Sequence, residues 1–493
     1  MSSNPYYAFY IQDDFKVTSR LTLNLGLRYD LELGRTERFN QLSWLDLSAR
    51  SPLADLVAGF PDLRGGFRFV GSGTKRQFDT DPNNFGPRMG VAYSLNPKTT
   101  IRTGYAIFYP PYIGSASGAG AGFSGFQSAT QWLSTLDGVT PLYPLSNGFP
   151  NGLTPPPGSS QGLLTLVGTS IGDTGRDGAI IRTARASYVQ QWNFSVQREL
   201  PGQVGVEIAY AGSKGTKLTY GPRGEALNQL MPDQLRLGTA LQQLVPNPFY
   251  GIIPGSGSLS QPTVARGQLI RPYPQFLNLL NFRPDCGNSI YHSLQVKVQK
   301  QFSSGLSLIL AYTNAKLISD SDAVTSFDGN APGTQNAYDR RSDRSLAGTD
   351  ISQRLVLSFV YELPVGRGRS LGTGMPAWLN YVVGGWQTNG VAAFQSGYPL
   401  SLSAPNTSNA YSLGLRPNVV GDPELPADRS TTDKLNRWFN TAAFAQPAPF
   451  TFGNGPRTLP NVRTDGITNI DFSLFKDFAI REKHRLEFRA EFF

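Results

Sequence analysis

The chain has little of what enzymes and disulfide-built domains rely on. Its 493 residues include one cysteine, Cys286, and two histidines, His292 and His484. A lone thiol forms no intrachain disulfide and is silent about redox compartment. Two histidines and one cysteine offer no zinc-ligand spacing. Charged residues make up 16% of the chain, against about 25% in an ordinary globular domain. No run approaches the roughly 18 apolar residues of a membrane helix. The nearest, Leu379 to Trp386, is interrupted by Gly384 and Gly385. An α-helical membrane protein is therefore excluded, whereas a wall of strands, apolar only at every second position, is not. The start, Met1-Ser-Ser-Asn-Pro-Tyr-Tyr, carries neither the basic nor the apolar region of a secretory signal. The formal charge of +9 comes from scattered residues. With no block of like charge, it suits a solvated surface facing anionic headgroups better than a nucleic-acid site.

What is plentiful is turn formers and aromatics: 53 Gly, 36 Pro and 12% Phe, Trp and Tyr. That mixture predicts short strands joined by long irregular segments. The clearest strand is Leu21 to Leu33. Leu21, Leu23, Leu25, Leu27, Tyr29, Leu31 and Leu33 alternate with Thr22, Asn24, Gly26, Arg28, Asp30 and Glu32. Successive side chains of a strand point to opposite faces, so one face is apolar and the other polar. A tilted strand crosses a bilayer in roughly nine to eleven residues, and this run is long enough.

The same period recurs at Met89–Leu95, Ile101–Tyr109, Trp192–Val196, Val204–Tyr210, Leu294–Val298, Leu306–Tyr312, Leu355–Leu363, Gly385–Phe394, Ile470–Leu474 and Leu486–Phe492. With Tyr6–Phe15, about twelve strands are predicted. Links within pairs are short: Lys16–Arg20, Asn96–Lys98, Pro201–Gln203, Ser303–Gly305 and Ala479–Lys483. Links between pairs are long, at roughly 34–84, 110–186, 214–288, 318–353 and 395–466. Pro364–Pro376 is the imperfect short link. Alternating loop lengths are those of a transmembrane antiparallel β-barrel with short periplasmic turns and long extracellular loops. Phe15, Phe302 and Phe478, just before three short turns, suit an interfacial aromatic girdle. The fold class expected is thus all-β, a partial barrel whose sheet is open or incompletely closed. A secreted β-rich adhesin or glycan-binding protein is the alternative, and it requires a second layer packed over the leucines.

Few motifs suggest chemistry. Gly120-Ala-Gly122-Phe-Ser-Gly125 matches GxGxxG, but it lies in a Gly/Ser-rich segment without the following helix that phosphate binding needs. No GxSxG elbow accompanies the histidines, and an enzyme is not expected. Asp320, Asp322, Asp328, Asp339, Asp343 and Asp350 crowd one loop. Without EF-hand spacing, and with Arg340, Arg341 and Arg344 beside them to compensate the charge, ion pairing or mere solvation is preferred to calcium. On the polar strand faces Arg28, Asp30, Glu32, Arg102 and Lys297 are the candidate lumen-facing residues, since charge is cheap there and costs about 2–4 kcal/mol for Arg or Lys on the lipid face. No catalytic residue, cofactor or metal site is assigned.

Several stretches resemble the barrel of Oar-like TonB-dependent receptors. They are Tyr7-Ala-Phe-Tyr-Ile-Gln-Asp-Asp-Phe-Lys-Val-Thr with Leu21-Thr-Leu-Asn-Leu-Gly-Leu-Arg-Tyr-Asp, then Asn84-Phe-Gly-Pro-Arg-Met-Gly-Val-Ala-Tyr and Arg102-Thr-Gly-Tyr-Ala-Ile-Phe-Tyr. Gln191-Trp-Asn-Phe-Ser-Val-Gln-Arg-Glu-Leu, Gly384-Gly-Trp-Gln-Thr-Asn-Gly and Arg485-Leu-Glu-Phe-Arg-Ala-Glu-Phe-Phe follow in family order. The resemblance implies a Gram-negative outer-membrane receptor or transporter, with a barrel of about 22 strands around an N-terminal plug. It implies as partners outer-membrane lipid and lipopolysaccharide, the TonB complex acting through the plug, and an unidentified extracellular ligand, with no nucleic acid. Residues 1–493 are accordingly expected to be a partial barrel. The signal, carboxypeptidase-like domain and plug are expected to lie outside it, and at least one strand is expected beyond Phe493.

Overall fold

The computed structural model describes the chain apart from residues 1, 72, 112–121, 129, 131–132, 173–177, 221–223, 256, 283, 322–333 and 482–483. Twelve strands follow one another in a single antiparallel path. They are β1 (Tyr6–Lys16), β2 (Leu21–Glu32), β3 (Phe85–Asn96), β4 (Thr99–Phe108), β5 (Tyr188–Leu200) and β6 (Val204–Leu218). The second half is β7 (Gly287–Ser303), β8 (Leu306–Ser319), β9 (Gln353–Glu362), β10 (Trp386–Gln395), β11 (Ile467–Arg481) and β12 (His484–Phe492). A two-residue strand, Ser345–Leu346, adds to β8 off this path. Each strand pairs with its neighbours in sequence, as in a meander. Among the described residues no ladder joins β1 to β12, and both are exposed almost throughout.

Described short links become tight turns for local reasons. Between β7 and β8, Ser304 and Gly305 take φ of 53° and 78°. Two consecutive left-handed residues make the turn whose twist matches antiparallel strands. Thr18 Oγ1 accepts from the Leu21 amide at 3.0 Å, and Asn96 Oδ1 from the Lys98 amide at 3.0 Å, closing two others. The exception, residues 363–385, holds a helix, Ala377–Val383. The irregular link foreseen at Pro364–Pro376 therefore extends to β10, and the most apolar run of the sequence is split between that helix and the start of the strand.

Register keeps each face continuous across the sheet. Leu25 stands opposite Met89, Phe194 opposite Tyr210, Tyr210 opposite Leu294 and Ala392 opposite Ile470. Among the described residues no continuous second layer covers this apolar face. Leu25 is 48% exposed, Ile208 52% and Ile470 55%, and Leu21, Leu23 and Leu31 are only partly buried. Of the buried apolar side chains among the described residues, Ala315 alone belongs to the twelve-strand path. The secreted alternative lacks the layer it requires. Phe15 and Phe302 at the short-turn rim are exposed, and Phe478 is half-buried.

The buried core lies instead in the long links. Leu53, Val57, Phe249, Ile253 and Leu259 join residues 33–84 to 219–286. Leu45, Phe67, Ile171, Phe276 and Leu279 add the 109–187 link. Leu230, Leu235 and Leu241 pack with Ala410, Phe450 and Phe452 of the 396–466 link. A fully buried Phe or Leu contributes about 1.5–3 kcal/mol relative to exposure, so these links form a packed cap. The links are irregular in backbone, as expected, and yet packed. Gly and Pro set the turns, while interspersed Leu, Ile and Phe supply a core.

Candidate functional site: the polar face and the loop cap

All five candidate residues stand on the face opposite the leucines, at positions given by register. Tyr6 pairs with Glu32 and Ala8 with Asp30, Arg102 with Ala92, and Lys297 with Glu207. The structure brings three of them together at the long-loop end of β2. Arg28 Nε lies 2.8 Å from Asp30 Oδ1, and the Tyr6 hydroxyl donates to the same carboxylate. Asn4 Nδ2 donates to Glu32 Oε1 at 2.8 Å. Asp30 and Glu32 are buried, so these partners replace the water the carboxylates have lost.

Arg102 and Lys297 stand apart from that group. Arg102 is exposed on β4. Lys297 lines a recess of about 470 Å³ with Gln197, Glu199, Glu207, Gln299 and Gln301 near the short-turn rim. A second recess, about 370 Å³, is floored by Gly26, Gly90 and Gly104 and edged by Gln12, Asn24, Gln191 and Asn193. This amide-rich surface was legible in principle, because every second residue of β5 and β7 falls on it. The face loses polarity further along the sheet, where Ile309, Val356, Val360 and Val391 share it.

Among the long links the cap is tied by arginines. Asp343, 3% exposed, accepts from Arg416 Nη1 at 2.7 Å and from the Tyr220 hydroxyl. Its backbone carbonyl accepts from Arg457 Nε at 3.0 Å. Burial, then the neighbouring Asp343 carboxylate, pushes the Tyr220 phenol far above its usual range. Burial lowers the Arg457 guanidinium to about 10. Asp350 accepts from Arg463 Nη2 at 2.6 Å and caps the Leu317 amide at 2.6 Å.

Ion pairing in the aspartate-rich loop is thus observed, but the expected partners were wrong. Arg416 and Arg463 come from the next long link, and Arg340 reaches Glu225 of the preceding one. The fold instead uses these charges to stitch three links together. Asp322 and Asp328 lie outside the described residues.

The GxGxxG segment is partly outside the described residues, at Gly120 and Ala121. Its remainder belongs to the cap: the Gly122 carbonyl accepts from the Ser43 amide at 2.8 Å and from Gln77 Nε2 at 2.8 Å. His292 stands on the apolar face, where its Nδ1 shares a 2.7 Å hydrogen bond with the Tyr210 hydroxyl. That hydroxyl also accepts from Trp192 Nε1 at 3.2 Å. His484 opens β12, exposed.

An uncovered apolar face, a polar opposite face and segregated loop lengths define a membrane-spanning β-barrel wall. The chain belongs to the outer membrane beta barrel domain family, whose model matches residues 1–493, and its place is the cell outer membrane. No curated protein matches it. Among solved structures it is similar to the ferric-catecholate import receptor Fiu from E. coli K12, with 11% identity and a TM-score of 0.39, covering 99% of this chain and 40% of that one. It is also similar to the alcaligin outer membrane receptor FauA from Bordetella pertussis, at 10% identity, TM-score 0.34, 99% and 43% coverage. The pyoverdine receptor FpvA from Pseudomonas aeruginosa PAO1 shows 10% identity, TM-score 0.39, 99% and 37% coverage. The chain spans about two fifths of the length of these receptors.

Proposed function

We propose that this chain forms barrel wall and extracellular cap of an Oar-like TonB-dependent receptor that takes up an unidentified extracellular ligand. The observation that carries the reading is where the core lies. The long links bury their own apolar residues and arginine pairs among themselves, at the long-loop end of the strands, and leave the apolar strand face exposed. A mere wall needs no such cap, whereas a selective receptor needs a rigid outer surface, since binding groups act best when held in place. In this reading Arg28, Asp30, Glu32, Arg102 and Lys297 line the lumen. Lipopolysaccharide surrounds the cap side, and the TonB complex acts through a plug supplied outside these residues.

The test is comparative. Strains lacking this gene, lacking tonB, or lacking neither are grown on the same complex medium, and the compounds left unconsumed are compared by mass spectrometry. The reading expects at least one compound left behind by both deletions. If the tonB strain leaves compounds and the gene deletion leaves none, uptake through this protein is refuted. Outer-membrane partition and heat-modifiable gel mobility of the full-length product check the barrel separately.

A further inference from the structure

The helix Ala377–Val383 is unlike the other described links at the short-turn rim. It contains no charged residue, and Trp378, Tyr381 and Val382 are 70%, 52% and 57% exposed. Spaced i, i+3 and i+4, these three share one side of the helix. Facing water, they would form an apolar patch with nothing to cover it.

The helix is also fixed in place, on the outer side of the sheet. Lys476 of β11 stands on the apolar face, in register with Trp386 and Phe488. It is nevertheless buried, because the helix end closes over it. Its Nζ donates to the Val382 carbonyl at 2.8 Å and the Gly384 carbonyl at 2.5 Å. The same ammonium lies 5.4 Å from the Trp386 ring centre and 4.9 Å from that of Phe478. Tyr381 packs on Phe478 with ring centres 5.4 Å apart. The helix therefore extends the lipid-facing belt at its short-turn end. Arg367, exposed in the same link, donates from its backbone amide to Asn380 Oδ1 at 2.7 Å and from Nε to the Met375 carbonyl at 2.9 Å, which ties an exposed cation to the helix and to the segment before it.

We infer that Ala377–Val383 is a membrane-interface anchor that seats Trp378, Tyr381 and Val382 among the phospholipids of the periplasmic leaflet. Three things single out lipid as the occupant: continuity with the belt, an aromatic pair of the kind enriched at membrane interfaces, and a neighbouring arginine suited to phosphate headgroups. Lys476 has two jobs in this arrangement. It pins the helix end, and it is itself hidden from the hydrocarbon by that helix.

The experiment uses the full-length product, with Cys286 and any cysteine outside these residues replaced by serine, reconstituted in phosphatidylethanolamine vesicles containing phosphatidylglycerol. Single nitroxide labels are placed by Trp378→Cys, Val382→Cys, Gly374→Cys and Leu27→Cys, all at exposed positions that tolerate a label. Collision with oxygen is compared with collision with a water-soluble nickel complex. Leu27 calibrates lipid exposure, and Gly374, in the same link but off the helix, calibrates water. Labels at 378 and 382 are expected to favour oxygen several-fold more than the label at 374. Nickel accessibility at 378 and 382 equal to that at 374 overturns the anchor, as does shielding from both reagents, which marks a protein partner instead. In Lys476→Met the label at 382 is expected to become markedly more mobile. Unchanged mobility overturns the pinning role.

Discussion

Replacing Arg416 by alanine tests whether the cap is one cooperative unit tied by charge. In the folded protein the side chains of Arg416 and Asp343 are 2% and 4% exposed, with 2.7 Å between Nη1 and Oδ1. Arg416 also donates to Ser342 Oγ at 3.1 Å. Removing the guanidinium leaves Asp343 buried with the Tyr220 hydroxyl as its remaining side-chain donor, Arg457 binding only the backbone carbonyl. An uncompensated buried charge of this kind costs about 3–5 kcal/mol. At 1.4 kcal/mol per tenfold change, local opening should rise by roughly two to three and a half decades. Hydrogen exchange reads this directly. The Ala347 amide, bonded to the Leu317 carbonyl at 2.9 Å, should lose protection, while amides in β2 to β6 should not. The double variant Asp343→Leu, Arg416→Met should lose less than Arg416→Ala alone, because it leaves no buried charge behind. Unchanged protection at Ala347, or a double variant no better than the single one, would refute the reasoning.

Leu27→Arg puts a charge in the apolar belt and should cost about 2–4 kcal/mol, read as a lower urea midpoint for folding into vesicles. Asn24→Arg, across the strand beside Asp14, should fold at nearly the parental midpoint, and equal loss from both would undo the assignment of faces. Burial, reinforced by the Glu225 carboxylate, pushes the Cys286 thiol up to about 12. The folded protein at pH 8 therefore holds almost no thiolate, and alkylation by iodoacetamide should become fast only on unfolding. Equal rates in buffer and in urea would contradict that. Gly305→Val forces a branched residue to φ of 78° and should destabilise the hairpin by about 1–2 kcal/mol, again seen in the urea midpoint; an unchanged midpoint would remove the turn argument.

Much of the wall was legible because its determinants are local. In Leu21–Leu33 the two-residue period alone assigns Leu25 and Leu27 to one face and Asn24 and Arg28 to the other. Links such as Ser304-Gly305 announce their turns by residue type. Strand ends were less clear. Beyond Tyr210, β6 continues through Gly212 and Gly215 to Leu218, where glycine hides the period while ladder bonds to β7 sustain it. The cap was not legible in the same way. Asp343 and Arg416 are separated by 73 positions, and no periodicity links them. Likewise Lys476, read along β11 alone, is a charge out of place on an apolar face. Only the tertiary structure shows that the helix Ala377–Val383 folds back over it.

The sequence by itself therefore determined that the chain makes an alternating wall with unequal rims, because side-chain direction in a strand follows from the backbone. The tertiary structure decided where the core lies and which charges meet. Burial and ion pairing depend on how distant links pack, and strand periodicity carries no information about that.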